Sequence, residues 1–204
     1  MRESVVFIVM MADEQKAFAH VWEKCRRVHW TDCTWPAVFC TETEPIQDLL
    51  ARQTYPLGGW MRGLARVIKE AIEEWTPEGI VFVHADWIIG REWSPGSYNK
   101  DVLRCLAIFS QDRDISSIGL QIKDTESGPY KGWPEVLGHQ DVSTPGVIPC
   151  ATPRIGLYRP SSLLDYVEST ASSIPIGEDY GRTAFVHFEE HTTKLARQRP
   201  GCHL

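Results

Sequence analysis

The sequence predicts an α/β protein with a mostly parallel central sheet flanked by helices. Three observations carry that expectation. Short, wholly apolar runs, Ser4 to Met11 and Ile80 to Val83 above all, have the length and character of strands covered on both faces. Between such runs lie longer segments with apolar residues at helical spacing, of which Trp60 to Trp75 is the clearest. The two kinds of segment alternate along the chain, which is the pattern of linked strand–helix units.

Taken in order, Ser4 to Met11 is the first strand. Asp13 to Trp30 carries Phe18, Val21, Trp22, Cys25 and Val28 at the spacing of a helix. Trp35 to Thr41 is a second short run, closed by the polar turn Glu42-Thr43-Glu44-Pro45. Gln47 to Arg52 is expected as a helical turn, and Gly58-Gly59 breaks the chain before the Trp60 to Trp75 helix. That helix turns Trp60, Leu64, Val67, Ile68, Ala71, Ile72 and Trp75 to one side, and Thr76-Pro77-Glu78-Gly79 stops it. Ile80 to Val83 is the clearest buried strand and runs into His84-Ala85-Asp86-Trp87. Asn99 to Ser110 reads as a helix with Val102, Leu103, Leu106 and Phe109 inward, and Ile115 to Ile122 as a strand. Residues 124–153, rich in Gly, Pro and polar side chains, form a long loop or insertion, and loops of that length are usually functional or mobile. Ser161 to Thr170 is a helix and Thr183 to Phe188 a last short strand.

A length of 204 residues fits a single domain over 1–204, long enough to bury a core without staples. The chain is 43% apolar and 24% charged, which excludes wholesale disorder. A net charge of −6 leaves no broad basic footprint for nucleic acid or anionic lipid. The longest apolar run, Val5 to Met11, falls far short of the ~20 residues of a spanning helix. Asp13 and Glu14 stand where a signal peptide would carry small residues, so a soluble cytoplasmic protein is expected. Six cysteines without a Cys-x-x-Cys pair argue for reduced thiols packed as small hydrophobes. Neither a Gly-x-Gly-x-x-Gly, nor a phosphate-binding Gly-x-x-x-x-Gly-Lys-Ser/Thr loop, nor a Gly-x-Ser-x-Gly elbow is present, which removes the motif support for dinucleotide oxidoreductases, P-loop NTPases and α/β-hydrolases.

In parallel sheets ligands bind beyond the carboxyl ends of the strands. Three such ends carry polar residues: Asp13 with Glu14, Glu42 with Glu44, and His84 with Asp86. An aspartate such as Asp86, delivered by a buried strand, is either a turn or helix cap or a metal ligand or base on a rigid platform. His84, two residues upstream, shares its face if the strand continues. In Gly177-Glu178-Asp179-Tyr180-Gly181 the adjacent acids suit a helix start or a general base facing a cleft. His187-Phe188-Glu189-Glu190-His191 places two histidines at helical spacing, yet its alternation is that of a strand, so one histidine is a better ligand than the pair.

In this order the pieces resemble a small GT-A glycosyltransferase of the bacterial or phage type, family 2-like. The residues concerned are Val5 to Met11, then Gly59-Trp60-Met61-Arg62-Gly63-Leu64, then Val81-Phe82-Val83-His84-Ala85-Asp86, then Gly177-Glu178-Asp179, then His187 or His191. The resemblance implies a GT-A-like Rossmann-type sandwich. It also implies transfer of a sugar from a nucleotide-diphosphate donor to an acceptor hydroxyl, assisted by Mn²⁺ or Mg²⁺. Donor contacts would fall to Asp86, His84, Arg62, Met10 and Ala12, the metal to Asp86 with His187 or His191, and the base to Asp179 with Glu178 as its alternate. His84 stands where the family's Asp-x-Asp motif has its first acid, which bears on ribose contact and metal dependence. The acceptor is open between a saccharide and, as a minority reading, DNA with a modified base. Inverting and retaining chemistry are both compatible with these residues, and no oligomeric state is implied. The alternative is a non-catalytic nucleotide-sugar or carbohydrate binding module of the same fold.

Overall fold

The computed structural model describes residues 4–54, 59–85, 89, 96–113, 115–120 and 156–175. Strands β1 (Val5–Met10), β2 (Ala37–Thr41), β3 (Ala51–Gln53), β4 (Gly79–His84), β5 (Ser117–Gly119) and β6 (Gly156–Tyr158) form one sheet in the order β3-β2-β1-β4-β6-β5. β3, β2, β1 and β4 are mutually parallel, and β6 is antiparallel to both β4 and β5. Helices α1 (Lys16–His29), α2 (Trp60–Trp75), α3 (Ser97–Gln111) and α4 (Pro160–Ser173) flank it. The expected α/β architecture with a mostly parallel, helix-flanked sheet is therefore the one found.

β1 is buried at every position because helices cover both sides of the sheet, which is why it reads as an unbroken apolar run. The period of two then divides its residues between two cores. Val6, Ile8 and Met10 join Val38, Cys40, Ile80 and Phe82 beneath α2 and α4. Val5, Phe7, Val9 and Met11 join Phe39, Val81 and Val83 with Trp22 of α1 and Val102, Leu106 and Phe109 of α3.

On the first side the sequence pattern holds closely. Trp60, Leu64, Val67, Ile68, Ala71 and Trp75 are all buried, with Ile72 packed at the margin. Gly63 lets α2 lie against the chain after β3: a Cβ there would stand 1.9 Å from the Thr54 carbonyl oxygen. Thr76 ends the helix in the left-handed conformation, φ 45°, its N–H returning to Ile72 O at 2.9 Å.

Four local expectations are corrected. Gln47 to Arg52 is not a helical turn but a turn leading into β3, which pairs with Phe39 to Thr41. Backbone bonds decide this: Leu50 O accepts from Phe39 N at 2.9 Å and Thr41 O from Thr54 N at 2.8 Å. β6 was not anticipated, since Gly-Leu-Tyr is too short to show a period. Leu103 is 49% exposed, Cys105 taking its place in the core beside Val102 and Leu106. In α1 only Trp22 of the expected stripe is fully inward; Phe18, Val21 and Val28 are exposed, while Glu23 and Arg26 are buried.

The rotation of α1 has a visible cause. Trp22 meets Phe7 and Phe39 edge to face at 5.8 and 5.6 Å, and Ala19 lets the helix approach closely beside it. Arg26 reaches the Trp35 carbonyl at 3.2 Å and is paired by Glu23 through two hydrogen bonds of 2.8 Å. An aromatic anchor with a satisfied ion pair outcompetes a stripe of medium apolar side chains. The strand expected over Thr183 to Phe188 and the loop over 124–153 lie outside the described residues.

Candidate functional site at the carboxyl ends of β1 and β4

From β1 the chain crosses through α1 to β2 on one side, whereas β4 lies on the other side of β1. A parallel sheet opens a crevice at such a divergence, beyond the carboxyl ends of the two central strands. Here those ends are level: Met10 pairs with His84, and Ala85 N donates to Met10 O at 2.8 Å. By strand parity Met10 and His84 share the α2/α4 side, Met10 fully buried and His84 half-buried.

Because α2 leads back to the start of β4, its first turn lies at this same edge. That turn carries Arg62, whose guanidinium donates to Ile174 O at 3.1 Å just beyond α4. α4 follows the antiparallel β6 and so ends at the carboxyl edge of β4, where Ile174 and Pro175 are the last described residues. Met10, Arg62 and His84 are thus brought to one edge of one face. Ala12, at the β1 exit, has its N–H already engaged by Gln15 Oε1 at 3.1 Å.

The other acidic strand ends turn to one another. Asp13 accepts from Glu42 N at 3.0 Å and Thr43 N at 3.1 Å, and the Thr43 hydroxyl also donates to it. Glu42 in turn accepts from Asp13 N at 3.2 Å. Glu44 pairs with Lys16. These carboxylates clamp the exits of β1 and β2 together and fix the rim beside the crevice. Sequence reasoning missed the clamp because its halves are 29 residues apart; an acid after each of two adjacent strands was its only trace. It also missed Thr41, the last residue of β2, whose buried hydroxyl has no hydrogen-bond partner among the described residues.

Cys25, Cys33, Cys40 and Cys105 are free thiols, and burial pushes Cys40 and Cys105 up to about 12, so neither supplies a thiolate. Among the described residues no three His, Cys, Asp or Glu side chains gather closely enough to hold a metal ion. Asp86, Glu178, Asp179, His187 and His191 lie outside the described residues. No helix among the described residues is long and apolar enough to cross a membrane.

No protein-family model matches this chain, and no curated protein is similar to it. Among solved structures it is similar to a "putative nucleotide-diphospho-sugar transferase" from Desulfovibrio desulfuricans G20. The identity is 11% and the TM-score 0.47, over 98% of this chain and 77% of that one. A likeness that faint carries no weight for the chemistry of the crevice.

Proposed function

We propose that this protein is a glycosyltransferase that moves a sugar from a nucleotide-diphosphate donor to an acceptor hydroxyl at the β1/β4 crevice. The observation that carries the reading is the convergence of separate chain segments on one sheet edge. β1 ends there at Met10, β4 at His84, and α2 starts there with Arg62. The segments that resemble the transferase motifs continue from this edge. Asp86 follows Ala85 directly, and Asp179 is five residues beyond Ile174, within roughly 18 Å even for fully extended chain.

In this reading Met10 and Ala12 border the nucleotide, and Arg62 and His84 approach the diphosphate. Asp86, with His187 or His191, would hold Mn²⁺ or Mg²⁺, since one carboxylate and one imidazole leave room for the donor's own oxygens. Such an ion offsets the negative charge that grows on the leaving diphosphate. Asp179 takes the proton of the acceptor hydroxyl in an inverting reaction, with Glu178 as the alternate base. The acceptor is a saccharide in the simplest version. The second reading, a binding module without turnover, draws on His84, an imidazole where the transferase motif has an acid.

A panel of nucleotide sugars with Mn²⁺ tests this by thermal shift and slow donor hydrolysis. We expect one donor to stabilise the protein and be hydrolysed. Asp86→Ala should lose the Mn²⁺-dependent part of both effects. Asp179→Asn should keep donor affinity while transfer falls ~10²–10⁴-fold. Binding without turnover in the presence of saccharide acceptors would favour the binding module, and no response to any nucleotide would overturn both readings.

A further inference from the structure

The chain leaves α4 at a point fixed from several directions. Pro175 disfavours helical backbone in the residue before it, and Ile174 is accordingly extended, φ −93° and ψ 127°. The Ile174 side chain is buried in the core that α2 and α4 share. Its carbonyl oxygen accepts from the Arg62 guanidinium at 3.1 Å, across 112 residues of sequence. A helix cap is an incomplete account of that bond. The Ser172 and Ser173 hydroxyls donate to Glu168 O and Thr170 O at 2.8 and 2.7 Å, so α4 engages carbonyls near its end with its own side chains. Ile174 lies past the helix, and its carbonyl belongs to the outgoing chain.

We propose that Arg62 is a positioning residue that couples the donor side of the crevice to the chain carrying the acceptor base. The inference rests on the transferase reading, in which Arg62 approaches the diphosphate and Asp179 follows Ile174 by five residues. A guanidinium carries its N–H donors in a fixed planar fork, so one group can hold a backbone carbonyl with one edge and meet a phosphate with another. The two contacts orient each other. A diphosphate that draws the fork also sets where Ile174 O is held, and Ile174 with the stiff Pro175 sets the direction in which the chain departs. A lysine has the charge but not the fork. A general base must lie within hydrogen-bond reach of its proton, and a misplacement of about 1 Å can cost ~10²-fold in rate. Donor occupancy and base placement are therefore linked through one side chain.

Titration calorimetry and donor hydrolysis by the full chain, with UDP-glucose, GDP-mannose or dTDP-glucose and Mn²⁺, test the coupling. Water serves as the acceptor. In the wild type one of these donors binds and is hydrolysed. Arg62→Lys should keep donor affinity close to that of the wild type through its charge, while hydrolysis at saturating donor falls roughly ten- to a hundredfold. Pro175→Gly, which changes no charge, should give the same split by freeing the exit of α4. Arg62→Ala should lose both affinity and rate. Melting temperature separates folding from function, since loss of a plain helix cap would lower it and leave the saturated rate alone. Hydrolysis at the wild-type rate by saturated Arg62→Lys or Pro175→Gly would overturn the proposal while the transferase reading stands. So would a loss confined to donor affinity. Wild-type protein that binds none of these donors, or binds without hydrolysis, would overturn the transferase reading and this inference together.

Discussion

α2 and α1 cover opposite sides of the same sheet, and both carry an apolar stripe legible in the sequence. In α2 that stripe faces the core; in α1 most of it faces out. The two helices differ in what they meet. α2 packs Leu64, Val67, Ile68 and Ala71, with Trp60 and Trp75 at its two ends, into the core with Val6, Ile8, Val38, Ile80 and Phe82, and its widest apolar face is the buried one. α1 meets Phe7 and Phe39 among Trp22, Trp30 and Trp35, and one tryptophan with its edge-to-face neighbours sets the rotation. Periodicity thus predicts a buried face well where the widest apolar stripe of the helix meets the core, and poorly where one large side chain with its aromatic neighbours sets the rotation.

The largest effect expected is on the α2 side. Gly63 sits where a Cβ would meet the carbonyl oxygen, carbonyl carbon and Cα of Thr54, at 1.9 to 2.5 Å. Backbone cannot rotate away as a side-chain tip can, so Gly63→Ala must separate α2 from the end of β3. Overpacking of this kind usually costs 1–3 kcal/mol, and a backbone clash belongs at about 4 kcal/mol. Urea unfolding would measure it. A loss under about 1 kcal/mol would mean that α2 is less closely seated than its apolar stripe demands.

Next in size is the ion pair that accompanies the rotation of α1. Burial pushes the Glu23 carboxyl up, but hydrogen bonds and charge from Arg26 and Arg27 outweigh it and hold the group below its ordinary value near 4.5. A depressed carboxylate adds stability that is present above that ordinary value and lost as pH falls through the folded-state value. Glu23→Gln should cost about 3 kcal/mol at neutral pH, because it leaves Arg26 buried without its charge partner. The loss should shrink as pH falls from the ordinary value near 4.5 through the lower folded-state value, where the wild-type carboxyl takes up its proton. Melting temperature followed across pH would show the two proteins converging in acid. Parallel curves would mean that Glu23 is not the group responsible.

What was legible follows the same physics. β1 and β4 declared themselves because both their faces are covered, and the polar residues closing them marked the crevice edge at Met10 and His84. β3 did not, because Ala51-Arg52-Gln53 is a half-exposed edge strand held by backbone bonds to β2, which leave no pattern in side chains. β6 is fully buried but only three residues long. At the site, single strand ends were readable from local sequence. The Asp13–Glu42 clamp and the Arg62–Ile174 contact join segments 29 and 112 residues apart, and only the tertiary arrangement brings them together.

The smallest expected effect is the most direct test of the rotation itself. If Phe18 and Val28 project into solvent, replacing them removes little buried area, and surface substitutions usually stay within about 0.5 kcal/mol. Serine has a helix propensity close to that of Phe and Val, so the helix itself is nearly indifferent to the exchange. Phe18→Ser and Val28→Ser should therefore each leave the urea midpoint almost where it is. A sequence-based reading that turned the whole stripe inward would expect each to cost as much as a core truncation, in the range of about 2–5 kcal/mol. The gap between those two expectations is wide enough for one unfolding curve per variant to decide. A large loss at Phe18 or Val28 would return α1 to the orientation its periodicity predicts.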